Sequence, residues 1–225
     1  MKTVRLPMSE SLKQRFDDIW LKFEQGSSSE KLSKPLGDLL ADLSCEMLDR
    51  LFGDLLRLSK QNAQDVQQKN MIADSEKVVQ QIHDTFKKYM PYSVSLFGND
   101  RLRPMVGYLY QQILKTEQQA YLTFEVPDQV LSQALDYGAE VKQGERQSII
   151  PAFDGLIKII DEGVTSLIRQ PKDMLKFNFV IDKTLTGVLN MTTNLGYKRL
   201  EKLATQMDTQ IAARYVDHFT GFVQK

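Results

Sequence analysis

Apolar residues recur every three or four positions along nearly the whole chain, the spacing that gathers side chains on one face of an α-helix. Alternating apolar and polar positions, which indicate strands, are scarce, and the best run is the short stretch from Tyr92 to Phe97. The pattern predicts seven or eight amphipathic helices, the last of them containing residues 211–222. We therefore expect an all-α fold, either an antiparallel helical bundle or two stacked helical subdomains.

Local signals predict where several of these helices begin and end. Ser11 and Gln14 have the spacing of a capping box for the first helix, and Ser33 is a candidate cap for the second. The helix that opens near residue 74 is expected to stop at the sequence YMPYS, and the next to run from about Asn99 to about Phe124. The polar stretches 26–34 and 60–70 predict a loop and an exposed helix end or loop.

The sequence EVPDQ, residues 125–129, interrupts the helical pattern, which restarts at Pro127. We predict a division there into an N-terminal helical half, residues 1–125, and a C-terminal helical half, residues 126–225, with a single domain as the alternative. In the second half, Pro171 ends one helix and begins a long one that reaches about Met207.

Two segments of the chain resemble each other. Pro35 and Pro151, 116 residues apart, begin stretches that share the pattern P-x-x-D-x-L-x-x-[LI]-x-x-E-x-[LV]-x-x-L-[FI]. The same offset fails at the helix near residue 74, where Val78 falls on Asn194. Amphipathic helices with an early proline share such a pattern for geometric reasons, so we favour that interpretation over a duplication.

Composition and charge narrow the classes of function. Hydrophobic residues make up 42% of the chain and charged residues 26%, and the 29 basic residues balance the 29 acidic ones. A balanced charge disfavours nucleic-acid binding, which usually needs a basic excess. One cysteine, no apolar leader at the N-terminus and no apolar run long enough to cross a bilayer predict a soluble cytoplasmic protein without a transmembrane segment.

Residues with catalytic or metal-binding chemistry are few. The two histidines, His83 and His218, lie on apolar helix faces, and the positions three residues before them carry Gln80 and Tyr215 rather than the glutamate of a di-iron motif. Cys45, which precedes Glu46, is better explained as a buried thiol than as a nucleophile. With no glycine-rich phosphate loop or nucleophile motif, we predict no catalytic residue, no cofactor and no metal.

The most apolar helix, residues 151–171, carries the residues that we take as a candidate interaction face: Phe153, Leu156, Ile160, Val164 and Leu167. Packing in the protein's own core is the favoured explanation of this face, and a partner or a lipid surface are the alternatives.

Three functions remain open at this stage. The first is a non-enzymatic cytoplasmic protein that acts as a protein–protein interaction or scaffold module, with a protein partner or self-association into a homo-oligomer. The second is an amphipathic protein that binds a lipid or storage-granule surface. The third is a small-molecule-binding pocket protein or an enzyme, for which His83, His218 and Cys45 are the polar candidates.

Overall fold

The computed structural model of the chain describes residues 1–26, 30–62 and 66–223. It is 79% helical with a small three-stranded sheet, so the prediction of an all-α helical fold is confirmed. The described α-helices are α1 (Glu10–Gln25), α2 (Ser33–Leu48), α3 (Asp54–Asn62), α4 (Val66–Ser95), α5 (Asn99–Gln111), α6 (Asp128–Lys142), α7 (Ile149–Val164), α8 (Gln170–Met174), α9 (Phe179–Gln206) and α10 (Thr209–Thr220). The strands are β1 (Lys2–Met8), β2 (Ile113–Lys115) and β3 (Ala120–Val126). The parts of the two polar stretches at 27–29 and 63–65 lie outside the described residues.

Two π-helical turns join helices end to end. The first π turn, Asp49–Gly53, connects α2 to α3, and the second π turn, Thr165–Arg169, connects α7 to α8. In each, the N–H that follows the turn bonds a carbonyl five residues back: Asp54 to Asp49 and Gln170 to Thr165. An α-helical N–H would bond the carbonyl four residues back, so the carbonyls of Arg50 and Ser166 lose that donor.

The sheet has the order β1-β3-β2, with both pairs antiparallel. In β1 the side chains of Val4, Leu6 and Met8 are buried while the intervening positions are partly exposed, because successive side chains of a strand point to opposite faces. The buried face of β3 follows the same alternation. This sheet was not predicted from the sequence.

The order of elements in the first half of the chain is repeated in the second. Strand, helix, helix, π turn, helix, long helix, helix describes residues 2–111 and again residues 120–220. The two π turns begin at Asp49 and Thr165, 116 residues apart, the offset of the sequence resemblance. The structure therefore supports an internal duplication, contrary to the interpretation that we favoured from the sequence.

The hydrogen bonds of the sheet relate the two halves by an approximate two-fold axis. The N–H of Arg5 donates to the carbonyl of Phe222 over 2.8 Å, and the N–H of Thr123 donates to the carbonyl of Gln112 over 2.8 Å. Arg5 and Thr123 are 118 residues apart, and Gln112 and Phe222 are 110 apart. The axis passes between β1 and β3, which form the central antiparallel pair.

Several predicted helix ends need correction. The helix expected to reach about Phe124 ends at Gln111 and is followed by β2 and β3. The helix expected to stop at YMPYS contains Pro91 and continues to Ser95, so the alternating stretch that starts at Tyr92 is a helix end and a turn rather than a strand. A proline removes one helical hydrogen bond, and α4 is packed closely enough against α2 to continue beyond it.

The predicted caps also differ from the observed ones. The hydroxyl of Ser9, not that of Ser11, caps α1 by accepting the N–H of Leu12. Ser33 is the first residue of α2 and is buried, so it does not cap that helix. The side-chain oxygen of Asn99 accepts the N–H of Leu32 over 3.0 Å and so fixes the start of α2 from another element.

The helix predicted from Pro171 to about Met207 is divided. The short α8 ends at Met174, Lys176 has a positive φ of 46°, and α9 begins at Phe179. A left-handed residue cannot continue an α-helix, which explains the break. We call residues 175–178 the mouth segment, because two of them line the cavity described below.

One continuous apolar core joins both halves, from β1 and α1 to α10. The proposed division between residues 125 and 126 stays a prediction. None of the described helices combines the length and apolar character needed to cross a membrane.

Candidate apolar ligand cavity

A cavity of about 230 Å³ lies between the two repeated parts of the chain, residues 2–111 and 120–220, which are the two halves meant from here on. Its wall includes Val4 and Leu6 of β1 and Leu122 and Phe124 of β3. Val4 and Leu122, like Leu6 and Phe124, are 118 residues apart and occupy equivalent strand positions. The cavity therefore lies on the approximate two-fold axis.

The helices that carry the π turns contribute matching positions to the wall. From α2 and the first π turn these are Leu40, Leu43, Ser44, Met47, Leu48, Leu51 and Phe52. The positions 116 residues later, which also line the cavity, are Leu156, Ile159, Ile160, Gly163, Val164, Leu167 and Ile168. The two halves thus use the same helix faces to build the wall.

Four of the five residues of the candidate interaction face line this cavity: Leu156, Ile160, Val164 and Leu167. Phe153 is fully buried and stacks at a tilt on Tyr215, with ring centroids 5.9 Å apart. Ile160, Val164 and Leu167 are only partly buried because the cavity leaves their side chains partly uncovered. The structure places four of the five residues of this face on the cavity wall and the fifth in the core.

Three hydroxyl groups on the wall are bonded to their own helices. Thr85 donates to the carbonyl of Gln81 and Thr192 to that of Val188, each over 2.8 Å. Ser93 donates likewise to the carbonyl of Met90 over 2.8 Å. These bonds occupy the hydroxyl hydrogens, so the wall is more apolar than its composition suggests.

Lys172 is the charged residue of the cavity wall within the described part of the chain. Its ammonium lies 2.6 Å from Asp182 Oδ1 and 3.0 Å from Asp173 Oδ1. Burial lowers the pKa of Lys172, but the hydrogen bonds to both carboxylates outweigh burial and hold the pKa above its ordinary value. The side chain of Lys172 is 13% exposed, against 70% for Asp173 and 47% for Asp182, so this group marks where the cavity meets solvent.

The mouth segment is held from α5 by Arg101. The guanidinium of Arg101 donates to the carbonyl of Leu175 over 2.8 and 3.0 Å and to that of Lys176 over 2.7 Å. Phe177, which lines the cavity, contacts Phe97 with ring centroids 5.0 Å apart. These contacts fix the chain where α8 and α9 separate.

The polar candidates from the sequence lie around the first π turn. His83 Nε2 is 3.1 Å from Asp49 Oδ1 but is not aligned for a hydrogen bond. His218 Nε2 donates to the carbonyl of Arg50 over 2.8 Å, because a carbonyl can only accept. Cys45 is buried, with Sγ 4.0 Å from the carbonyl of His83.

The thiol of Cys45 is not activated. Burial, aided by nearby carboxylates and opposed by Lys87, raises its pKa to about 11. A thiol with this pKa is protonated at neutral pH and is a poor nucleophile. Among the described residues, no three His, Cys, Asp or Glu side chains are grouped so that they could hold a metal ion.

Sequence reasoning missed Lys172, Arg101 and Tyr108. The Tyr108 hydroxyl donates to the carbonyl of Ser166 over 2.9 Å, from one half of the chain to the other. Each of these residues acts on a partner 58 or more residues away, or across the α8–α9 break, which periodicity does not reveal.

No family model matches the sequence, and neither a curated protein nor a solved structure matches it significantly.

Proposed function

We propose that the protein binds an apolar small molecule in the cavity between its two halves. The observation that carries the proposal is a space of about 230 Å³ walled almost entirely by apolar side chains. Ligand pockets in proteins are concave and mostly apolar, with few polar groups. An engineered cavity of about 150 Å³ with such a lining stays dry and takes up benzene, so a larger one suits a larger apolar ligand.

The cost of leaving this space empty supports the proposal. At about 24 cal/mol per Å³, a closed empty cavity of this volume would sacrifice roughly 5.5 kcal/mol of packing, which is an upper bound here because the cavity meets solvent beside Lys172. That is comparable to the whole stability of many domains. A bound ligand would recover this energy, and both halves retain the same wall positions around the space.

The other functions considered from the sequence stay predictions. Four of the five residues of the candidate interaction face line the cavity, which favours a role in ligand contact over one in docking a protein. Because the hydroxyls of Thr85, Ser93 and Thr192 are bonded to their own helices, we expect binding without catalysis. A cytoplasmic location and the absence of nucleic-acid binding also stay predictions.

The test is titration of the purified protein with the fluorescent apolar probe N-phenyl-1-naphthylamine. Val164→Phe places a ring in the cavity and is expected to abolish the fluorescence increase while the protein stays folded. Val180→Phe is the matched control, because Val180 is 71% exposed on α9 and does not line the cavity. Equal probe binding by the two variants, or no binding by the native protein, would refute the proposal. In a separate experiment, mass spectrometry of an organic extract of the native protein would identify any co-purified ligand.

A further inference from the structure

The state of Lys172 bears on the chemical class of the ligand. A lysine at the edge of an apolar cavity would ordinarily suggest an acidic ligand, such as a fatty acid, whose carboxylate pairs with the ammonium. Here the ammonium already contacts two carboxylates of the protein, at 2.6 and 3.0 Å. The cation that could attract an acidic ligand is therefore neutralised before any ligand binds.

The group formed by Lys172, Asp173 and Asp182 carries one net negative charge. A ligand carboxylate placed beside it would face two like charges and one positive charge that is already paired. It would also have to leave water, which is costly for an ion that gains no free partner. Arg101, a cation that contacts the mouth segment, has its guanidinium bonded to carbonyls of that segment.

The ammonium still has capacity for a neutral partner. A lysine ammonium has three N–H donors, and the two carboxylates account for two of them. The third N–H is left for a ligand oxygen at the edge of the cavity. A hydroxyl, carbonyl or ester oxygen can accept it without adding charge.

We propose that the ligand is an uncharged amphiphile, a long apolar body that ends in a neutral oxygen group, and that this oxygen accepts a hydrogen bond from the ammonium of Lys172. This inference rests on the proposed function, since it concerns the same cavity. It excludes free fatty acids as the preferred class and points to long-chain alcohols, esters or ketones. The apolar body of the ligand fills the cavity on the two-fold axis. Its oxygen lies at the solvent edge of the cavity beside α8.

The inference is tested by displacement of N-phenyl-1-naphthylamine with ligands of equal chain length. Dodecan-1-ol and methyl dodecanoate are expected to displace the probe at about a tenfold lower concentration than dodecanoate at low salt, because one net charge at a partly exposed site has an effect of this order. Dodecanoate that competes as well as the alcohol or better would overturn the inference while leaving the proposed function intact. Failure of the probe itself to bind would instead refute the proposed function.

One variant of the charged group and one matched control sharpen the comparison. Asp182→Asn removes one carboxylate charge at nearly constant shape, and it should strengthen dodecanoate binding several-fold while changing dodecan-1-ol binding little. Asp136→Asn is the matched control, since Asp136 lies on α6 and does not line the cavity. An unchanged ratio of dodecanoate to dodecan-1-ol affinity in Asp182→Asn would show that this group does not select the ligand and would overturn the inference.

Discussion

The Tyr108 hydroxyl on α5 lies 2.9 Å from the carbonyl of Ser166 in the second π turn and 2.5 Å from Gln170 Oε1, and these two acceptors share its one hydrogen. His218 on α10, 110 residues after Tyr108, donates to the carbonyl of Arg50 in the first π turn. Arg50 and Ser166 are themselves 116 residues apart and are the carbonyls that lose their α-helical donors at the π turns. Each half of the protein therefore supplies a hydrogen-bond donor to the π turn in the other half.

Removal of the Tyr108 hydroxyl should destabilise the protein. In Tyr108→Phe the carbonyl of Ser166 and Gln170 Oε1 lose the hydroxyl that they share, at a cost of about 1–3 kcal/mol. Urea denaturation measures the change. Tyr137→Phe is the control, because Tyr137 is 40% exposed and should tolerate the loss of its hydroxyl within about 0.5 kcal/mol. Equal stability of the two variants would mean that the π turn does not need this donor.

His218, the position equivalent to Tyr108, tests whether its N–H donor or the packing of its ring stabilises the protein. His218→Phe removes the N–H that reaches Arg50, and we expect a loss of about 1–3 kcal/mol in the free energy of unfolding. His218→Gln keeps an N–H donor on a flexible side chain and should recover part of that loss. If Phe and Gln destabilise equally, the hydrogen bond to the π turn contributes nothing and packing explains the effect.

The helices were predictable because each buries one continuous face. The helix after Pro151 is the clearest case, since α7 and the second π turn cover most of its predicted span of 151–171. Its predicted end at Pro171 is wrong, because α8 continues the helical path to Met174. The strands were predictable in principle but were missed. Buried Val4, Leu6 and Met8 alternate with partly exposed positions, but the run is too short to be convincing beside strong helical patterns.

The duplication was hidden by a changing offset. Equivalent residues are 118 positions apart in the strands, as for Val4 and Leu122, and 116 apart at Asp49 and Thr165. The offset falls to 110 between Tyr108 and His218, because the three helices α8, α9 and α10 are each shorter than their counterparts α3, α4 and α5. A test at the single offset of 116 therefore failed beyond the π turn, although the repeated order of elements was present.

The cavity could not be predicted from the sequence. An apolar residue that lines a cavity and one that packs in the core have the same helical spacing, as Leu156 and Phe153 do. Only the packing of two halves shows that space remains between them. The pairing of Lys172 with Asp182 depends in the same way on the break between α8 and α9.

Arg101 should control exchange of the ligand. Arg101→Gln removes most of the bonds that hold the carbonyls of Leu175 and Lys176, so the mouth segment should open more easily. Each charge-assisted bond contributes about 1.5–3 kcal/mol, so dissociation of the fluorescent probe should accelerate at least about tenfold in stopped-flow measurements. Arg103→Gln is the control, since its guanidinium contacts the carbonyl of Glu24 instead. Similar dissociation rates for both variants would show that the mouth segment is not the route of exchange.

Cys45 should make stability fall at alkaline pH. Its pKa is raised from 9.0 to about 11, so the folded state retains the thiol proton more strongly than the unfolded state. The contribution is fully present below about pH 9 and is lost as the pH rises toward 11. Cys45→Ala should therefore lose less stability than the native protein between these pH values in urea denaturation. Parallel pH profiles would contradict the raised pKa, and so would rapid alkylation of the native thiol at pH 8.

The two halves should fold only together. The central strand pair joins β1 of one half to β3 of the other, and the π turns take their donors across the same boundary. We expect fragments 1–116 and 117–225, divided in the turn after Thr116, to be unfolded alone and to form a stable one-to-one complex when co-expressed. Circular dichroism and size-exclusion chromatography measure this, and His218→Phe in the second fragment should weaken the complex while His218→Gln weakens it less. Fragments that fold separately and do not associate would show that the halves are independent domains, and the hydrogen bonds across the boundary would then follow from their contact rather than cause it.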